Sequence, residues 1–263
     1  MDYIETVKKR GIKDILANSA LWYGGRILYA LYRSKLPFIS SQARKWLAGR
    51  SYSRDLVPMQ ELEGAYGAAL DWLIEAKGGE VSGAYLEYGV CTGSSMIALN
   101  KALQHRDNVD LKFIGFDSFD GLPDNAGAQD NGVWKAGSFM SEKSRTEARL
   151  KDNGVTPYLV EGWFSHTLNE ETRRKYEIQS APLIMVDCDI YSAAKESLEF
   201  SITHITGPTV ILFDDWHSCG LDEINQGEAR AWQEVLEANP DIKEIGQLKP
   251  YNENSHIIMV DRA

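Results

Sequence analysis

From residue 84 to residue 262 the chain alternates short apolar runs with longer segments of helical period, and few folds accommodate that pattern. AYLEYGV (84–90) reads as a strand, SSMIALNKALQ (94–104) as a helix and LKFIGFD (111–117) as a second strand. A polar loop rich in Gly, Asp and Asn covers 118–140. A helix over 141–154 then stops at Gly154, and TPYLVEG (156–162) is the next strand. PLIMVDCD (182–189), a helix over 192–205, PTVILFDD (208–215) and a helix over 221–240 continue the series. Ahead of it lie a helix over 58–77 and a turn, GGEVSG. Apolar strands separated by helices predict an α/β fold with a mostly parallel sheet and helices on both faces. DIKEIGQL (241–248) and SHIIMVDR (255–262) are only six residues apart. That is too short for a crossover, so they predict an antiparallel hairpin at the sheet edge.

Ligands of such sheets bind at the carboxyl ends of the strands, near the point where strand order reverses. The first strand ends Glu87-Tyr88-Gly89-Val90-Cys91-Thr92-Gly93-Ser94-Ser95. Gly89 and Gly93 would let the backbone pass close to a ligand. Their spacing is not the G-x-G-x-x-G of pyrophosphate sites, and Glu87 would repel a pyrophosphate. An acid suits a ligand with a positive charge. Asp117, at the end of the second strand, is placed to accept hydrogen bonds from ribose hydroxyls. S-adenosyl-L-methionine is an amino-acid nucleoside that answers to both features.

Two further strands end in paired acids, Asp187 and Asp189 after LIMV, and Asp214 and Asp215 after VILF. One Asp at each junction could cap the following helix. Two at each exceed that need, and like charges gathered in one crevice call for a cation. An all-oxygen set suits Mg²⁺ or another divalent cation, which would ease deprotonation of a bound hydroxyl.

These motifs resemble the macrocin/mycinamicin and aminocoumarin sugar O-methyltransferases, the TylF/MycF/NovP type. The matching stretches are YLEYGVCTGSS (85–95), FIGFDSFDGLP (113–123), EGWFSHTL (161–168), MVDCDIYSAAKESLEF (185–200) and ILFDDW (211–216). The resemblance implies a Rossmann-like class I methyltransferase fold with a seven-stranded sheet, S-adenosyl-L-methionine as donor and Mg²⁺ as cofactor. By position, Asp187, Asp214 and Asp215 would be metal ligands and Asp189 the general base. Glu87 and Gly89 would line the methionine end of the donor, with Tyr88, Thr92, Ser94, Ser95 and Asp187 close by. Asp117 would hold the ribose, Ser118 and Glu161-Gly162-Trp163-Phe164 the adenine, and the 118–140 loop would form a lid. The family has a tyrosine where this chain has Trp216, a departure that bears on the acceptor pocket. His217 beside it is a second catalytic candidate, as the one histidine near the proposed metal. His166 reads as a capping or surface residue, Tyr191 as packing on the donor or the sheet, and Cys188 as buried packing.

Charge divides the 263 residues in two. Residues 1–54 carry eleven Lys/Arg against three Asp/Glu, and the rest of the chain is about −18. An acidic body excludes gripping nucleic-acid phosphates. The expected organisation is a basic, aromatic helical arm over 1–57 and a methyltransferase domain over 58–263. The arm would cover the acceptor pocket or contact a neighbouring subunit of a homo-oligomer. Association with an anionic membrane is a further role for such a helix, ranked below these two. Three unpaired cysteines and an N-terminus without an apolar signal segment point to the cytoplasm. The expected acceptor is a small hydroxylated molecule, a sugar or glycosylated product. A catechol or phenol is the alternative, and a metal-dependent hydrolase has no use for the donor constellation.

Overall fold

The computed structural model describes residues 57–263; the expectations for the basic arm lie outside these residues apart from Val57. Seven strands form one sheet in the order β3-β2-β1-β4-β5-β7-β6. They are β1 (Val81–Tyr88), β2 (Val109–Asp117), β3 (Tyr158–Glu161), β4 (Leu183–Val186), β5 (Thr209–Phe213), β6 (Ile242–Leu248) and β7 (His256–Arg262). β1 to β5 pair in parallel, while β7 runs antiparallel to both β5 and β6. This is the mostly parallel sheet with a terminal hairpin predicted from the sequence. β7 is the reversed strand because the seven-residue turn before it can only fold back.

The helices are α1 (Met59–Ala76), α2 (Ser94–Leu103), α3 (Lys143–Asp152), α4 (Phe164–Thr167), α5 (Glu170–Lys175), α6 (Tyr191–Ile202) and α7 (Gly227–Ala238). Alternation within the strands sorts the core into two layers. Tyr85, Met185, Leu212 and Ile257 pack with Tyr66, Leu70 and Leu73 of α1 and with Met96 and Leu99 of α2. Leu86, Ile184, Phe213 and Ile258 pack on the other face with Leu198 of α6 and Trp232 of α7. Among the described residues no helix is long and apolar enough to cross a membrane.

Several boundaries differ from the sequence reading. β1 starts at Val81 and not Ala84, because Val81 to Gly83 pair with Val109 to Leu111. β4 and β5 stop at Val186 and Phe213, so all four acids lie beyond the strands. The helix expected from 221 is a 3-10 turn (Asp222–Ile224), then Asn225 in the left-handed region at φ 53°, then α7. α4 and α5 occupy a stretch without a clear helical period; Asn169 caps α5 by accepting from the Thr172 N–H at 2.9 Å.

Candidate active site

The strand order reverses between β1 and β4, and the carboxyl ends of β1 to β5 open there into a cavity of about 620 Å³. Every one of those strand ends contributes to its wall: Gly89, Asp117, Gly162, Asp187 and Asp214 among others. The loop over 118–142 adds Leu122, Trp134 and Phe139, and the turn between β6 and β7 adds Asn252 and Asn254.

At one end lie the acids. Asp187, Asp214 and Asp215 each offer a carboxylate oxygen within 4.8 Å of the others. Around them the protein supplies orienting partners. The Tyr251 hydroxyl donates to Asp214, which also bonds the Asn252 side chain. Ser218 Oγ donates to Asp215 Oδ1 at 2.6 Å. Glu228, fully buried on α7, accepts the Asp215 backbone N–H at 3.1 Å. The Asp189 carboxyl lies beside that of Asp215. Asp189 takes φ 65°, and the tight Ile190 N–H to Cys188 O bond (2.7 Å) closes that turn. Asp tolerates this left-handed geometry better than most residues.

Burial first, and then the neighbouring carboxylates, push Asp187 and Asp189 well above the ordinary Asp range. Burial and Asp214 push Asp215 up in the same sense. Among the described residues, no Lys, Arg or His forms an ion pair with these four acids. A crowded oxygen cluster of this kind fits a hard divalent cation.

The donor end departs from expectation at several positions. Gly89, Asp117, Ser118, Gly162, Trp163, Phe164 and Asp187 do line the cavity. Glu87, Tyr88, Thr92, Ser94 and Ser95 do not. Glu87 lies wholly buried under the turn, accepting the Tyr85 hydroxyl and Ser95 Oγ, each at 2.5 Å. Burial pushes it up to about 7. Tyr88 faces the opposite layer, where it stacks on Phe116 and bonds Ser201 Oγ at 2.6 Å. Alternation along β1 forces this: Glu87 and Tyr88 cannot share a face. Arg149 of α3 takes up Thr92 and Ser94 by donating to both side chains.

The glycines also answer to packing. A Cβ on Gly89 (φ 92°) would stand 1.6 Å from the Asp187 carbonyl oxygen, and one on Gly93 would meet Leu150 at 2.7 Å. Close packing of β1 against the β4 loop, and of α2 against α3, demands them. Asp117 likewise clasps backbone, accepting Cys91 N–H at 2.7 Å and Phe119 N–H at 2.6 Å. His217 lies outside the cavity wall, with its Nδ1 2.7 Å from Asp222 Oδ2. His166 sits within the short α4.

Sequence reading missed Tyr251, Asn252 and Asn254, although the Tyr-Asn-Glu-Asn turn carries a concentration of polar side chains opposite the acids. It also missed Ser192, Ala193 and Glu196, which helical spacing puts on one face of α6.

A parallel sheet in this order, with a cavity at its switch point and acids after β4 and β5, defines a class I methyltransferase fold. Comparison with known proteins agrees. The family model described as macrocin-O-methyltransferase (TylF) matches residues 69–247. The chain belongs to that family and is an S-adenosylmethionine-dependent O-methyltransferase. It superposes on the O-methyltransferase NovP with a TM-score of 0.62 at 18% identity, covering 94% of this chain and 99% of NovP. For the calicheamicin methyltransferase CalS11 the TM-score is 0.58 at 20% identity, covering 90% and 91%. An O-methyltransferase from Bacillus cereus, solved with SAH, gives 0.51 at 15% identity, covering 93% and 91%. No curated protein matches the sequence.

Proposed function

We propose that this enzyme transfers the methyl group of S-adenosyl-L-methionine to a hydroxyl of a sugar or glycosylated small molecule, with Mg²⁺ or a similar divalent cation at the acid cluster. One observation carries the reading: the acids after β4 and β5 open onto the same cavity as the strand ends of β1 to β3. Donor and acceptor oxygen can therefore meet in one enclosed space. The sugar acceptor follows from the family resemblance.

In this reading Ser118, Trp163 and Phe164 stand at the adenine and Asp117 at the ribose, and the sulfonium lies near Gly89. Asp187, Asp214 and Asp215 would hold the cation, whose charge lowers the pKa of a hydroxyl beside it and favours acceptors with two adjacent oxygens. Asp189 takes the hydroxyl proton. Displacement at the methyl carbon is in line, the thioether sulfur leaving with the C–S electron pair as the O–C bond forms, so holding the acceptor oxygen about 3 Å from the methyl carbon supplies much of the rate. Leu122, Trp134 and Phe139 exclude water from that path.

Calorimetry with S-adenosylmethionine and S-adenosylhomocysteine, with and without Mg²⁺, tests this reading on wild type and Asp187→Ala. Donor binding that survives in the variant while Mg²⁺ binding is lost supports separate donor and metal sites. Acceptor screening then compares deoxysugar and aminosugar glycosides with catechols. Absence of donor binding by the wild type under every condition would sink the proposal.

A further inference from the structure

α6 and α7 flank the acid cluster, and neither caps itself. Their N-cap residues, Ile190 and Gln226, make no side-chain cap bond. Asp187 and Asp189, the nearest acids in sequence to α6, face the cavity instead. The capping group comes from elsewhere. Asp130, 1% exposed in the middle of the 118–142 loop, accepts the Tyr191 N–H at 3.1 Å (Oδ1) and 3.2 Å (Oδ2). The same carboxylate also faces the Gly227 backbone N–H, close enough for that amide to favour its charged form. These are the first residues of α6 and α7.

The loop that carries Asp130 is internally closed. The Leu122 N–H bonds Ser138 O at 2.9 Å, the Gly137 N–H bonds Leu122 O at 2.7 Å, and the Gly132 N–H bonds Gly127 O at 2.9 Å. A Cβ at Gly121 or Gly127, both at positive φ, would run into the loop's own carbonyls. Such a loop is held together by its own backbone bonds, and its cavity-facing side carries Leu122, Trp134 and Phe139. Tyr191 follows Asp189 by two residues. Gly227 precedes Glu228, which holds the Asp215 amide.

We infer that Asp130 is a positioning residue that pins the lid loop to both helices flanking the acid cluster, coupling closure of the cavity to the placement of Asp189 and Asp215. The functional half of this inference rests on the donor and base assignments above; the structural half does not. Capping α6 from the lid also leaves Asp187 and Asp189 free to point into the cavity.

The test compares wild type, Asp130→Ala and Asp130→Asn in the full chain by hydrogen exchange and by stopped-flow binding of S-adenosylhomocysteine. In Asp130→Ala, amides of 122–138 and of the first turns of α6 and α7 should exchange together about tenfold faster or more, with α1 and β1 unchanged. The dissociation rate of S-adenosylhomocysteine should rise about tenfold at unchanged stoichiometry, as expected when a lid opens more readily. Asparagine keeps one acceptor oxygen and should recover part of both effects. Unchanged exchange in the lid, a rise spread evenly over the whole chain, or Asn behaving no better than Ala would overturn the inference. Failure of S-adenosylhomocysteine to bind even the wild type would instead remove the donor reading, with the exchange data still deciding the clasp.

Discussion

Glu87 offers a measurable consequence of burying an acid beneath a ligand site. Its carboxylate is fully enclosed and rises from 4.5 to about 7, chiefly through burial, opposed by the hydroxyls of Ser95 and Tyr85. The folded chain therefore retains a proton up to about pH 7 that the unfolded chain releases near 4.5. Between those values the folded state binds more protons, so stability falls as pH rises. A shift of this size corresponds to roughly 3 kcal/mol, fully present below pH 4.5 and lost by the time pH passes 7. Glu87→Gln abolishes the titration, at a constant cost for leaving one hydroxyl without an acceptor. Urea unfolding with chelator present, from pH 4.5 to 8, should give a wild-type minus variant difference that declines by roughly 3 kcal/mol. Subtraction removes the other buried acids, which titrate in both proteins. A difference that stays level across this range would mean that Glu87 keeps its charge in the fold and that the two hydroxyls outweigh burial.

Three other substitutions separate packing from chemistry. Gly89→Ala places a methyl 1.6 Å from the Asp187 carbonyl, so the β4 loop must move; we expect at least about 2 kcal/mol lost in thermal or urea unfolding, and weakened Mg²⁺ binding by calorimetry. Tyr88→Phe removes the 2.6 Å bond to Ser201 on the face away from the cavity; stability should fall by about 1–2 kcal/mol while donor affinity holds within about twofold. His217→Ala should leave turnover within about threefold, because the ring pairs with Asp222 outside the cavity wall; a loss of a hundredfold or more would restore it as a catalytic group.

The periodicity of apolar residues was enough to determine the sheet, the helices on both faces and the terminal hairpin, because strand and helix periods are local consequences of backbone geometry. The motifs after β1, β2, β4 and β5 were legible for the same reason, since strand ends in a parallel sheet must converge on one edge. What each of those residues touches was decided in three dimensions. Glu87 and Tyr88 are neighbours in sequence, yet the pleat sends one under the turn and the other to the opposite core layer. Gly89 answers to the carbonyl of Asp187, about a hundred residues away. The same holds for Asp130, whose partners at Tyr191 and Gly227 lie on two later helices. No local propensity encodes a backbone N–H left uncapped elsewhere in the chain. Only packing brings the isolated carboxylate to the helix ends that need it.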